Sequence, residues 1–163
     1  MSEYKGEDCS FVYRIEAVTK VVDGDTVDCV FDLGFDVMFK SRVRLLGIDT
    51  PESRTRHKNE KVYGLLSKKA LKSWVHKAIA DDRDDIEIEL RCPEADSRGK
   101  FGRILGELWV KEGESETNVN RWLCENGHAV GYWGQNKDDV KDEHESNRRL
   151  LAEKGEQEYL EWD

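Results

Sequence analysis

The chain has 163 residues, 37 % apolar and 37 % charged, with a net charge of −9. It is long enough to bury a core, and its 5 Trp, 5 Tyr and 5 Phe in periodic segments exclude a disordered polymer. The acidic balance excludes a protein coated in basic charge, so any polyanion must be gripped locally.

MSEYKGEDCS at the amino terminus lacks the apolar stretch of a secretory signal, and no run approaches the ~18 apolar residues of a spanning helix. A cytoplasmic rather than secreted protein, with no membrane partner, is therefore expected. The composition and length suit one domain over residues 1–163, expected to be a monomer. Residues 11–18 (FVYRIEAV) have strand composition, with Phe11, Tyr13, Ile15 and Ala17 on one face. Residues 21–33 form a second expected strand, where Gly24 suggests a bulge or a close backbone approach. Gly34 marks a turn and residues 35–46 a third strand. After the cationic loop SRTRHKNEK, a helix is predicted over 61–80 with Tyr63, Leu66, Ala70, Trp74 and Ala78 as its apolar stripe.

Residues 85–91 alternate as a fourth strand. The turn-rich CPEADSRGKFG then leads to a fifth strand over 103–110, with Trp109 expected in the core. A short helix follows, capped by Thr117 or Asn118, burying Val119, Trp122 and Leu123 and stopping at Gly127. The last helix is expected over 138–154, with Asp138 and Asp139 at its positive end and Gly155 closing it. This order predicts an α+β fold, a small five-stranded closed barrel with three helices. Cys9, Cys29, Cys92 and Cys124 have no zinc spacing and read as free thiols. His57, His76, His128 and His144 share no ligand spacing and are assigned no role.

Four polar groups fall at strand ends or turns: Asp23-Gly-Asp25-Thr26, Arg44, Asp49-Thr50-Pro-Glu52, and Lys100-Phe-Gly-Arg103. Carboxylates and carbonyls are hard ligands for Ca²⁺ or Mg²⁺. Arginines match phosphate oxygens with planar forks, and a further carboxylate can orient or deprotonate a water. Together they form an inventory for phosphodiester hydrolysis. Each has a plainer reading: DGD caps turns, and strand arginines and loop cations usually face solvent. The DGD stretch is also no EF-hand loop, since Val27 and Asp28 occupy positions where that loop needs a ligand and a glycine.

The order and spacing of VDGDTV (22–27), RLLGIDTPE (44–52), VYG (62–64), DSRGKFGR (96–103), VN (119–120) and NGHAVGYW (126–133) resemble the staphylococcal-type thermonucleases, over about residues 11–155. That resemblance implies an OB-fold barrel and a calcium-dependent nuclease cleaving DNA or RNA to leave 3′-phosphate ends. It implies Asp25, Asp49 and the Thr50 carbonyl as ligands of one Ca²⁺, with Asp23 in the outer shell. Glu52 matches the residue acting on the attacking water, and Arg44 and Arg103 the phosphate clamp. Lys100, Phe101, Tyr132 and Arg42 are expected to contact substrate. Phe101 replaces a tyrosine of the best-known members, removing a hydroxyl contact to phosphate. A non-catalytic nucleic-acid-binding module of the same lineage is the alternative, opposed by the presence of the whole residue set. A phosphodiesterase acting on mononucleotides is a third reading.

Overall fold

The computed structural model describes residues 3–80 and 85–156, with the side chains of 77–80 and 137 excepted, so Ala78 lies outside the described residues. β1 (Phe11–Asp23) pairs antiparallel with β2 (Thr26–Asp32), which pairs with β3 (Met38–Leu45). On its other side β1 pairs with β5 (Ile86–Cys92), and β5 with β6 (Ile104–Glu112). The sheet closes where β3 meets β6 in parallel, Val43 opposite Ile104, Arg44 opposite Leu105 and Leu45 opposite Gly106. Five strands therefore make a closed barrel, as the element order predicts. β7 (Ser115–Asn118) extends the edge of β6, and the two-residue strands β4 (Ile48–Asp49) and β8 (Val130–Gly131) form a separate pair.

The interior follows the alternation of the strands. Val27, Cys29 and Phe31 of β2, Val43 and Leu45 of β3, and Ile86, Ile88, Leu90 and Cys92 of β5 are all buried. Burial is the main driving term for such a barrel. It also pushes the Cys29 and Cys124 thiols up to about 12, so these free cysteines are packing groups.

The two strands expected over 11–18 and 21–33 are divided differently. β1 runs without a break to Asp23, and Gly24 and Asp25 form the turn that opens β2. β1 achieves this through register shifts against β2 between Ile15 and Ala17, Val18 and Lys20, and Val21 and Asp23. Such irregularities bend a strand and let it serve both ends of a barrel. The close approach expected at Gly24 is present: a Cβ there would lie 2.6 Å from the Ser67 Cβ. β3 begins only at Met38, because Gly34, Phe35 and Asp36 take positive φ values of 80°, 55° and 62° in the hairpin turn.

α1 (Lys58–Ala80) begins three residues before the expected start and buries Tyr63, Leu66, Leu71 and Val75, while Ala70 and Trp74 are half-buried. α2 (Val119–Glu125) is capped by Asn118, whose side chain accepts the Arg121 N–H at 3.2 Å. Val119 and Leu123 are buried as expected, but Trp122 is half-buried, edge-on to Trp74 and stacked on His128. Trp109 is likewise half-buried rather than core, its face covered by the Arg91 guanidinium 3.8 Å from the ring centroid. α3 (Lys137–Glu153) starts at the cap Asn136 and is followed by Gly155 at φ 69°. Among the described residues no helix is long and apolar enough to cross a membrane.

Two polar anchors fix the closure. Buried Asn120 accepts the Leu108 N–H and donates to the Leu46 and Gly106 carbonyls at 2.8 and 3.3 Å. Leu46 N–H donates to the Gly106 carbonyl at 2.8 Å. These bonds satisfy backbone groups that would otherwise be buried without partners and lock α2 onto the seam between β3 and β6.

Candidate functional site

Asp25 lies in the β1–β2 turn, Arg44 near the end of β3, and Asp49 ends β4. The barrel brings all three together because Leu45 N–H donates to the Asp25 carbonyl at 2.8 Å, tying the turn to β3. Arg44 Nη2 lies 3.4 Å from Asp25 Oδ2 and 3.7 Å from Asp49 Oδ1. Its Nη1 donates to the Leu45 carbonyl at 2.9 Å. The Arg44 side chain is 17 % exposed and that of Asp25 12 %, so their attraction is less screened than that of a surface pair.

Thr50 connects the two carboxylates. Its backbone N–H donates to Asp25 Oδ2 at 3.3 Å, and it follows Asp49 directly in the chain. Thr26 Oγ1 donates to Asp25 Oδ1 at 2.9 Å. Both oxygens of Asp25 are thus held in place. The carboxylate oxygens of Asp25 and Asp49 are donors of a kind that suits a hard divalent ion keeping other coordination positions for water. Among the described residues no group of three or more His, Cys, Asp and Glu side chains is placed to hold a metal. A cation at this site would therefore depend on the Thr50 carbonyl as well as on side chains.

Asp23 sits beside this cluster, where its Oδ1 accepts the Ser53 hydroxyl. That bond joins the β1 end to the loop after β4 and so to Glu52. Glu52 is exposed, and its backbone N–H donates to Glu60 Oε1 at 3.4 Å. The loop is pressed onto α1 at Gly64, where an added Cβ would fall 2.3 Å from the Glu52 carbonyl oxygen. Gly64 of the VYG stretch is required here by close approach rather than by its own backbone angles.

Arg103 closes a tight turn. Ser97 donates its hydroxyl to, and its carbonyl accepts from, the backbone of Leu105, both at 2.7 Å, and Gly99 N–H donates to the Arg103 carbonyl at 2.7 Å. Arg103 Nε donates to the Lys100 carbonyl at 3.3 Å. Phe101 stands at the tip, 93 % exposed with φ at 62° and its ring 5.8 Å from the Arg103 guanidinium carbon. A left-handed, solvent-facing phenylalanine is disfavoured both sterically and by hydration. Arg103, Phe101, Arg42, Asp23 and Thr26 line one groove. Arg42 also holds Asp28 through two bonds of 2.8 and 3.1 Å, which keeps the Asp28 carboxyl below the usual range.

Tyr132 falls elsewhere. It lines a second cavity with Asp49 and α3, while its backbone N–H donates to the Gly47 carbonyl at 2.8 Å. Tyr132 thus lines a different cavity from Phe101 and Arg42, two of the other residues expected to touch substrate.

His144 carried no signal in the sequence, because its partner is 95 residues away. Its Nε2 donates to Asp49 Oδ2 at 2.9 Å, so Arg44 and His144 hold one Asp49 oxygen each. A ligand-spacing search looks along the chain and cannot find such a pair. Lys68 and Lys72 of α1 were also missed. The Lys68 ammonium is pushed down by partial burial and then by Lys72 and Arg54, marking a crowded cationic surface that continues from the Glu52 loop.

Residues 42–157 match the family described as staphylococcal nuclease homologue. That span includes Arg44, Asp49, Thr50, Glu52 and Arg103, while Asp23 and Asp25 precede it. An uncharacterized protein of Methanocaldococcus jannaschii is 33 % identical over 125 residues, covering 71 % of this chain and 58 % of its own length. Endonuclease YhcR of Bacillus subtilis is 29 % identical over 140 residues, 86 % of this chain and 11 % of that protein. The Thermonuclease of Staphylococcus intermedius is 32 % identical over 102 residues, 63 % of this chain and 51 % of its own. The chain thus spans less than two thirds of each of these relatives.

Proposed function

Because the chain belongs to the staphylococcal nuclease homologue family, we propose that it is a metal-dependent nuclease hydrolysing phosphodiester bonds of DNA, RNA or both. The observation that carries this reading is the convergence of Asp25 and Asp49 on the single guanidinium of Arg44 at 3.4 and 3.7 Å. A purely structural ion pair needs one carboxylate; two carboxylates and a backbone carbonyl around one arginine suit a centre that handles a cation and an anion together.

Asp25, Asp49 and the Thr50 carbonyl would hold one Ca²⁺, with Asp23 ordering the outer shell through Ser53. When bound, the ion supplies charge stabilisation to a phosphoryl oxygen. Arg44 on β3 and Arg103 in the turn before β6 bind the phosphate and stabilise the charge on its equatorial oxygens. Neither arginine gives up a proton readily, so their work is electrostatic. Glu52, exposed on a loop held by Gly64 and Ser53, orients the attacking water or removes its proton. Phe101 and Arg42 border the groove occupied by the adjoining nucleotide, and Lys100 precedes Phe101 in the same turn. The products carry 3′-phosphate ends.

Purified protein incubated with plasmid, single-stranded DNA and RNA, each with Ca²⁺, Mg²⁺ or excess EGTA, tests the proposal. Cleavage with Ca²⁺ and none in EGTA is expected, with product ends that polymerase extends only after phosphatase treatment. Full activity in EGTA would overturn the metal. Binding without cleavage in every buffer would make the chain a non-catalytic module.

A further inference from the structure

Seven of the nine large apolar side chains that stand exposed among the described residues gather at one end of the barrel, where β2 ends and β1 and β3 begin. Five belong to the β2–β3 hairpin: Leu33, Phe35, Val37, Met38 and Phe39. Phe11 and Val12 open β1 at the same end. An exposed apolar patch of this kind marks a binding face. Judged by their exposures, these side chains offer on the order of 600 Å² per copy. A standard interface buries about 800 Å² per partner, of which about 65 % is apolar in homodimers. The area suffices for a stable contact.

The patch holds a knob and a hole. Phe35 is fully exposed at the hairpin tip with φ at 55°, and Asp36 follows at 62°. Leu33 N–H donates to the Val37 carbonyl, Val37 N–H to the Gly34 carbonyl and Gly34 N–H to Asp32 Oδ1, each at 2.9 Å. A left-handed phenylalanine in water stabilises nothing in the monomer, whereas a tip already fixed loses little freedom on docking. The hole is the mouth of the barrel, about 190 Å³, walled by Tyr13, Phe31, Leu33, Phe39 and Ile104, with Arg98 beside them. An apolar cavity of about 150 Å³ holds a benzene ring, so this one takes a single phenyl side chain.

Charge selects the occupant. Asp36 is exposed next to the knob. Arg98, next to the hole, is largely exposed and pairs with Asp96 at 3.0 Å. An ion pair so open to water contributes little, which leaves Arg98 able to take a carboxylate from outside. Asp32 and Asp36 within the patch, and a net charge of −9, oppose an anionic lipid surface. Knob with acid and hole with base lie on one copy, so a second copy related by a two-fold axis satisfies both at once.

We propose that the chain forms a symmetric dimer through this end of the barrel, Phe35 of each copy entering the barrel mouth of the other and Asp36 meeting Arg98 there. The dimer replaces the monomer expected from composition, and it does not depend on the nuclease reading. Asp25 and Arg44 lie at the opposite end of the β2–β3 pair, where Thr26 faces Arg44, so both candidate sites stay open.

Sedimentation equilibrium of the full chain, without metal or substrate, tests the dimer. Wild type should pass from monomer to dimer over about 1–300 µM. Phe35→Asn, a side chain that suits positive φ, should weaken association at least about thirtyfold without lowering the melting temperature of the monomer. Asp36→Lys and Arg98→Glu should each weaken it, because like charges then meet twice across the interface. An equimolar mixture of those two variants should recover dimer to within about threefold of wild type, since only the mixed dimer pairs opposite charges at both contacts. A wild type that stays monomeric at the highest concentration would overturn the proposal. So would a dimer indifferent to Phe35→Asn, or a mixture as weak as its parts. Co-sedimentation of the monomer with phosphatidylcholine–phosphatidylglycerol vesicles, lost in Phe35→Asn, would assign the face to lipid instead.

Discussion

Arg44 and Arg103 differ in what they already touch. Arg44 holds two carboxylates, whereas Arg103 bonds a backbone carbonyl of its own turn and lies near the Phe101 ring. A lysine at either position is a point charge without the planar fork. Arg103→Lys should therefore lower kcat about a hundred- to a thousand-fold with little change in KM. Arg44→Lys should do the same and also lower the melting temperature, because Asp25 and Asp49 lose their shared partner. Glu52→Gln should reduce kcat by about 10² to 10⁴. On the proposed mechanism these groups serve one transition state, so Arg44→Lys with Glu52→Gln should cost less than the product of the single effects. A rise in KM alone would make the arginines substrate handles.

His128 gives a second residue-level expectation. Burial lowers its pKa from the ordinary 6.5, outweighing the opposing pull of Glu156, and Lys154 adds to the lowering. An imidazole whose folded pKa is depressed binds more protons when unfolded. Its contribution is whole above about 6.5 and is lost as pH falls through that value toward the folded pKa. The melting temperature should fall between about pH 7 and 5, and His128→Gln should flatten that fall. An unchanged slope in the variant would assign the effect to other groups.

At the scale of elements, the loop carrying Glu52 is placed by what α1 lacks. Gly64→Ala would put a methyl group 2.3 Å from the Glu52 carbonyl, so helix or loop must shift. A loss of about 1–3 kcal/mol is expected, with a fall in kcat beyond any melting effect. Wild-type kcat in a folded Gly64→Ala protein would show that this packing does not aim Glu52. The VYG stretch was legible as a motif, but the reason for its glycine was not, since it lies in a contact 12 residues distant. The same limit governs β1. Alternation marked residues 11–18 and 21–33 as extended, yet it cannot say whether residues 18–21 end a strand or pass through a bulge. Trp109 and Trp122 read as core by residue type but are half-buried, Trp109 beneath the Arg91 guanidinium and Trp122 against Trp74 and His128. Asp25, Arg44, Asp49 and Thr50 stood out because their order and spacing resemble the thermonuclease pattern; His144 did not, because a helix near the other end of the chain delivers it.

For the whole molecule, a net charge of −9 opposes a polyanion at long range, so affinity must come from the cations beside the site. Arg54, Arg56 and Lys58 are exposed after the Glu52 loop, and Lys20, Lys72 and Arg54 lie around Lys68. Binding of a long oligonucleotide should weaken steeply with salt, with a log–log slope close to the number of phosphates contacted. Replacing Arg54, Arg56 and Lys58 with alanine should flatten that slope by up to about three while sparing the rate on a dinucleotide. An unchanged slope would leave those cations as a solvated loop.

The parallel seam between β3 and β6 has a consequence in time. Arg44 meets its neighbour Leu105 only after some sixty further residues exist, and pairings so distant in sequence form slowly. Asp49 waits longer, for Val130 of β8 and then His144 of α3. An amino-terminal fragment can pair the DGD turn with β3, since those contacts are local, but it lacks β8 and His144, which also fix Asp49. The full hold on Asp49 therefore arrives only with the last helix, whose His144 takes the second carboxylate oxygen.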